Sequence, residues 1–377
     1  MVSLPDTIHL GTIVILLLLL PAVQSTVVLP KPSGPYNTRI TTAELVDKTR
    51  LDPFAPNRTQ RAIMVTVFYP ITKPSECDPL RTVNYMPLAT AQFWDQEFSS
   101  YGITNATLEN FRSAPVAPTP PSRHPATTTP TPSAIAATVA STGYVVLTID
   151  HPHDAFIVEY PTGPPTYAAN ISSAAQTSLD LATRASDVSF LLDQLGANDT
   201  VRDVIPGAGR GLDVRRVAMY GHSFGGATAA AAMLSDHRIA GGLNMDGTFY
   251  GAVVERGLDR PFMLFSNPKS MPNQTFYGDD SWAETWPRLR GWRRELALAG
   301  AAHNTFSDIP LLTKLLGLSP FNATSVTGSA LGTIDGARGF DVITAYVVAF
   351  LDFVLKGAES ELLRMPSPLY HEVTLVR

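Results

Sequence analysis

The sequence predicts an α/β protein built around a mostly parallel central sheet, and three observations carry that expectation. Short apolar runs of strand length alternate with helical patterns along most of the chain. The clearest of these runs are apolar on both faces, as strands covered by helices on either side must be. A Gly-His-Ser-Phe-Gly turn at residues 221–225 joins one run directly to an alanine-rich helical stretch. The chain has 377 residues, 45% hydrophobic and 16% charged, so it can bury a full core, and residues 26–377 read as one domain.

The elements follow in order. Residues 31–35 are a Pro/Gly connector, and residues 61–71 gather the β-formers Ile63, Val65, Val67, Phe68 and Tyr69 before Pro70 stops the strand. A helical stretch at 134–141 leads through Gly143 into a buried-strand run at 144–149. Leu181, Ala185, Val188, Leu192 and Leu195 recur at helical spacing, so 178–195 reads as an amphipathic helix ended by Gly196. Residues 212–220 give the strand before the serine turn, and 221–234 the turn with its helix. Further strands fall at 239–245, 261–266 and 292–299, and 340–355 closes the chain as a strongly apolar helix. No repeat of fixed period is present.

Residues 113–133 stand apart. Proline occupies positions 115, 118, 120, 121, 125, 130 and 132 among many Thr and Ser, and each proline deletes a ladder donor. The segment therefore reads as an exposed, poorly ordered low-complexity insert, leaving a gap in the sheet beside the strand at 144–149.

The chemistry centres on Ser223. In a Gly-x-Ser-x-Gly elbow the serine sits on a strained strand-to-helix turn that lifts its Oγ above the sheet edge, and the Cβ atoms absent at Gly221 and Gly225 would collide with neighbouring backbone. A serine hydroxyl needs a base. His303 follows the strand at 292–299 in a short loop and can reach the carboxyl ends of the strands, whereas His237 lies in a polar turn and His371 in the tail. For the acid, Asp246 directly follows the strand at 239–245, while Asp279 and Asp280 come only after a long polar loop; Asp246 is the choice. The backbone N–H of Phe224 is the first oxyanion donor. Together these residues define an α/β-hydrolase fold carrying a serine ester hydrolase.

Beyond this, Gly34-Pro35-Tyr36, ELVDKTRLDP (44–53), RAIMVTVFYP (61–70), GYVVLTIDHPHDA (143–155), GHSFGGAT (221–228), 243–247 and AHNTFSD (302–308) resemble the platelet-activating factor acetylhydrolases of the plasma and isoform II type, in particular their secreted fungal relatives. The resemblance covers most of 34–110 and 134–317 and implies the triad Ser223, Asp246 and His303. It also implies a calcium-independent 1-alkyl-2-acetylglycerophosphocholine esterase that releases short or oxidised sn-2 acyl groups from phospholipids. A broad carboxylesterase or polyester hydrolase and an impaired lipid-binding relative are the alternatives. The departure is the insert: family members carry there a core strand and a glycine-bearing loop that supplies the second oxyanion N–H, and 113–133 contains no glycine.

Other features narrow the setting. The apolar run at 10–23, followed by small or polar residues near Ser25, reads as a signal peptide over residues 1–25. Six of the twelve asparagines stand in N-x-Ser/Thr sequons, Asn57, Asn105, Asn170, Asn198, Asn273 and Asn322, which favours a secreted glycoprotein. Cys77 is the only cysteine, so no intrachain disulfide and no Cys-rich metal site can form. His151 and His153 flank Pro152 without a third ligand nearby, so no metal is expected and no cofactor is needed. A net charge of -5 without a basic stripe argues against nucleic acid. Trp282, Trp286 and Trp292 beside Arg288, Arg290, Arg293 and Arg294 suit either a transient lipid interface or ordinary packing.

Overall fold

The computed structural model describes residues 26–71, 80–100, 108–117, 133–206, 208, 211–268, 280–318 and 325–377. The expectations for residues 1–25, Cys77, Asn105, Asn273, Asp279 and Asn322 lie outside them.

The central strands are β1 (Asn37–Leu51), β2 (Gln60–Ile71), β3 (Val146–Asp150), β4 (Val217–His222), β5 (Ile239–Met245), β6 (Phe262–Ser266), β7 (Arg293–Leu298) and β8 (Val373–Leu375). The helices that matter for the site are α1 (Leu88–Ser100), α2 (Ser133–Ser141), α3 (Ala174–Leu195), α4 (Phe224–Ser235) and α5 (Gly336–Leu351). Strands β4 to β7 are parallel neighbours, with α2 and α5 covering one face and α3 and α4 the other, so β5 and β6 are largely apolar on both sides. On the first face Ile135, Val139, Val342 and Ile343 pack with Leu243 and Met245, and on the second Val188, Leu192 and Met233 pack with Ile239 and Phe262. Helix α3 begins four residues before its apolar spacing does, because Ser173 and Gln176 form a capping box.

The described strands fall into two sheets, β1-β2-β3 and β8-β7-β6-β5-β4, so β3 and β4 are both end strands among the described residues. They nevertheless feed the same two cores, Val146 with Ala218 and Tyr220 on one face and Ile149 with Val217 and Met219 on the other. Their burial is that of edges: Leu147, Thr148, Ile149 and all of β4 are half-buried, whereas β6 is buried throughout. Among the described residues the sheet is thus interrupted beside the strand after the Pro/Thr-rich segment.

That segment is less detached at its start than its proline content suggests. Ser113, Ala114, Val116 and Ala117 are buried, Val116 bridges Arg81, and the Ala117 N–H donates to the Thr38 carbonyl. Only Pro115 of residues 113–117 is exposed, so five residues expected in a loose insert belong to the body. Residues 118–132 lie outside the described residues.

One further expectation changes. Strand β1, fifteen residues with many Thr and charged positions, gives no continuous apolar run and is held by an antiparallel ladder to β2 that runs on through Pro70 to Ile71. Of the two readings of the tryptophan cluster, packing is the one that the observed contacts support. Trp282 is buried and its Nε1 donates to the Gly247 carbonyl, Trp286 is stacked by Arg293 and Arg377, and Trp292 packs on Phe353.

Behind the site edge, β2, α3 and the loop after β3 are tied by a buried charge network. Arg61 bonds Asp187, Asp52 and the Pro152 carbonyl, and His151 Nδ1 lies 2.8 Å from Asp187. Burial alone would raise the Asp187 carboxyl, but hydrogen bonds from His151 and Arg61 outweigh it and hold it well below the usual range. His151 therefore has a structural partner in this network. Asp187→Asn is expected to cost about 3–5 kcal/mol by leaving Arg61 buried without its main counter-charge. Denaturant unfolding measures this, and an unchanged midpoint would show the network to be dispensable.

Candidate active site

The turn between β4 and α4 holds Ser223 at φ 54° and ψ -125°, a conformation that strains any residue with a Cβ and marks a constrained position. Its N–H donates to the Met245 carbonyl, anchoring the turn to β5. Glycine is required at Gly221, where a Cβ would stand 2.3 Å from the Gly225 backbone. Gly225, expected to be equally tight, faces open space; the second close approach is at Gly226, whose Cβ would meet Asn244 at 2.0 Å.

The other strand ends bring the remaining groups to the same edge. His303 Nε2 is 3.0 Å from Ser223 Oγ, and His303 Nδ1 is 2.7 Å from Asp246 Oδ2. Asp246 follows β5 at φ 59°, and its side chain is buried while that of His303 is 40% exposed. Asp280 begins the short helix Asp280–Thr285 and is exposed, and among the described residues His303 is hydrogen-bonded to Asp246 and not to Asp280. Phe224 is the first residue of α4, where the leading N–H groups have no intrahelical acceptor and the helix dipole favours negative charge.

Three residues of the site were not anticipated. Asn267 follows β6 and holds both oxygens of Asp246: its N–H donates to Oδ1 at 3.1 Å and its Nδ2 to Oδ2 at 2.7 Å. Its place was readable in principle, since β6 is the parallel neighbour of β5 and the first polar residue after each strand meets at one edge. Asn244, fully buried in β5, bonds both the N–H and the carbonyl of Gly247 and so shapes the turn that presents Asp246. Arg184 of α3 lies over the Phe224 ring at 4.7 Å and pairs with Asp154.

Beside that pair Asp180 is buried, and its carboxyl is pushed up to about 7 by burial and then by Asp154. The native state therefore keeps a proton that the unfolded chain releases above about pH 4, and stability is lost as pH rises from there to about 7. Asp180→Asn removes this dependence. Its melting temperature relative to wild type should be higher by a few degrees near pH 7.5 than near pH 5. An equal difference at both pH values would mean that the carboxyl is not held neutral.

Of the sequons, Asn57 and Asn170 are exposed, and Asn198 opens the helix Asn198–Val204. Among the described residues no group of three His, Cys, Asp or Glu side chains is placed to hold a metal.

Comparison with known proteins finds similarity to esterases and to one family in particular. The model of the platelet-activating factor acetylhydrolase isoform II family matches residues 209–360, a segment that contains Ser223, Asp246 and His303. The chain is 29% identical to a protein of Arthroderma benhamiae named "probable 1-alkyl-2-acetylglycerophosphocholine esterase", over 94% of this chain and 95% of that one. It is also 29% identical to the platelet-activating factor acetylhydrolase of Cavia porcellus, over 37% of this chain and 30% of that one. Among solved structures, a ferulic acid esterase from Streptomyces cinnamoneus is similar with a TM-score of 0.72 and 29% identity, covering 94% of this chain and all of the other. The architecture is an α/β-hydrolase fold.

Proposed function

We propose that this chain, which is similar to the platelet-activating factor acetylhydrolases of the isoform II type, is a secreted serine hydrolase that releases short or oxidised sn-2 acyl groups from phospholipids. The observation that carries the reading is the hydrogen-bonded line from Asp246 through His303 to Ser223.

In this mechanism His303 Nε2 accepts the Ser223 proton as Oγ attacks the ester carbonyl, and Asp246 accepts from Nδ1–H, fixing the tautomer and stabilising the imidazolium. The Phe224 N–H stabilises the oxyanion, and His303 then protonates the departing alcohol. Water, deprotonated by His303, hydrolyses the acyl-Ser223 ester and releases the acid. A phospholipid substrate is supported by the names of the two relatives and by an exposed aromatic cluster. Phe156, in the loop after β3, and Tyr167 are 60% and 53% exposed, and both rings lie near Phe93 of α1. Export is supported by the apolar leader at 10–23 and by the exposed sequons Asn57 and Asn170.

A broader carboxylesterase is the second reading, favoured by the similarity to the ferulic acid esterase over nearly the whole chain. The interruption between β3 and β4 favours a third, a catalytically weakened lipid binder, since the strand expected there would supply the second oxyanion donor. The purified protein should be offered 1-alkyl-2-acetylglycerophosphocholine, p-nitrophenyl acetate and methyl ferulate. Release of acetate from the phospholipid, falling as an unoxidised sn-2 chain is lengthened, is the expected result. Preference for methyl ferulate would select the second reading; no turnover and no fluorophosphonate labelling would select the third.

A further inference from the structure

His222, the residue before the nucleophile, is not used in the steps above, yet it touches the base itself. Its ring centroid is 4.6 Å from that of His303, at an interplanar angle of 50°. The same ring stacks on Phe306 at 6.4 Å and 26°, and it lies beside the His303 main chain. Since His303 and Phe306 bound one short 3-10 turn, His222 contacts both ends of the segment that carries the base. On the other side His222 is the last residue of β4, with the Ser223 N–H fixed to β5 directly after it. One side chain therefore spans the two chain segments whose separation sets the distance from Ser223 Oγ to His303 Nε2.

We propose, on the serine-esterase reading, that His222 is a positioning residue for His303, holding the imidazole at hydrogen-bond range of Ser223 through its ring contacts with His303 and Phe306. The contact suits a base that gains charge during the reaction only if its neighbour stays neutral. Burial, and next the nearby His303, push the His222 ring down to about 3, so it carries no charge at working pH. Its Nε2 is buried with no hydrogen-bond partner among the described residues, consistent with a neutral ring whose single proton is on Nδ1. An ordinary core residue could fill this space with an apolar side chain and leave no nitrogen unpartnered, so a neutral polar ring beside the His303 main chain is what a histidine adds.

The test is a double-mutant cycle on the full chain, reading p-nitrophenyl acetate hydrolysis, the rate of fluorophosphonate labelling and the thermal midpoint. His222→Ala should lower kcat by about tenfold or more with KM within about twofold, and labelling should slow in proportion. His222→Asn, whose amide nitrogen can stand near Nδ1, should recover part of the loss. In a His303→Ala background, His222→Ala should change the residual rate by less than about twofold, because the residue it positions is gone. An equal loss with and without His303 would overturn the proposal, as would full kcat in both single variants. If His222→Ala does not fold, His222→Asn decides: wild-type labelling and kcat in that variant together with wild-type rates in His222→Phe would overturn the positioning role. Wild-type protein that turns over no ester overturns the esterase reading and this proposal with it, whereas an active wild type with indifferent His222 variants overturns only this proposal.

Discussion

Ser223→Ala is expected to lower ester turnover by about 10⁶-fold and to abolish fluorophosphonate labelling while the protein stays folded. The loss is confined to one oxygen. Ser223 Oγ has His303 Nε2 as its hydrogen-bond partner, and the backbone anchor from the Ser223 N–H to the Met245 carbonyl does not involve the side chain. Alanine keeps the Cβ, so the strain at φ 54° is unchanged and the elbow should hold its shape. His303→Ala should cost a similar factor. The double variant should be hardly worse than either, since the nucleophile and its base act as a unit. Turnover and labelling are measured on the same preparations, with circular dichroism as the check on folding. Labelling that persists in Ser223→Ala would place the nucleophile elsewhere.

Much of this site was legible because its residues sit where elements end. Asp246 directly follows an apolar strand whose bounds the sequence shows without ambiguity, and His303 follows the next but one. Fully covered strands are largely apolar. Strand β7 opens on Arg293, Arg294 and Glu295 and is apolar only over 296–298, but β5 and β6 announce themselves, and the residue after each is a candidate. Strand β1 does not, because its outer positions meet water and its pattern mixes Thr with charges. Asn267 escaped for another reason: an amide after a strand reads as a turn residue until the neighbouring carboxylate is known to share its register. The glycines divide the same way, since periodicity shows that a turn is tight but not which glycine touches backbone, and Gly226 rather than Gly225 is crowded. The tryptophans left packing and a lipid interface both open because composition cannot tell a buried indole from a surface one; Trp282 is committed to the Gly247 carbonyl.

Asp246→Asn is expected to lower kcat by about 10⁴-fold, more than loss of a single hydrogen bond would explain. The size follows from how Asp246 is held. Oδ1 accepts the Asn267 N–H, a main-chain donor that cannot turn round, so the amide oxygen of an asparagine must take that position. The amide NH2 is then driven to the Oδ2 position, 2.7 Å from both His303 Nδ1 and Asn267 Nδ2. There it can only donate, so Nδ1 must be the bare nitrogen and the proton sits on Nε2, facing Ser223 Oγ. An imidazole in that tautomer cannot take the serine proton. Asp280→Asn, by contrast, changes an exposed residue at a helix start and should leave kcat close to wild type. Asn267→Ala should fall between them: it removes the Nδ2 bond to Oδ2 but keeps the N–H to Oδ1, so the carboxylate loses one restraint and keeps its charge. Combined with Asp246→Asn it should not restore activity, since the main-chain donor that fixes the amide remains. Steady-state kinetics of the four variants decide the matter, and a severe loss at Asp280 with near-wild-type Asp246→Asn would move the acid to the later loop.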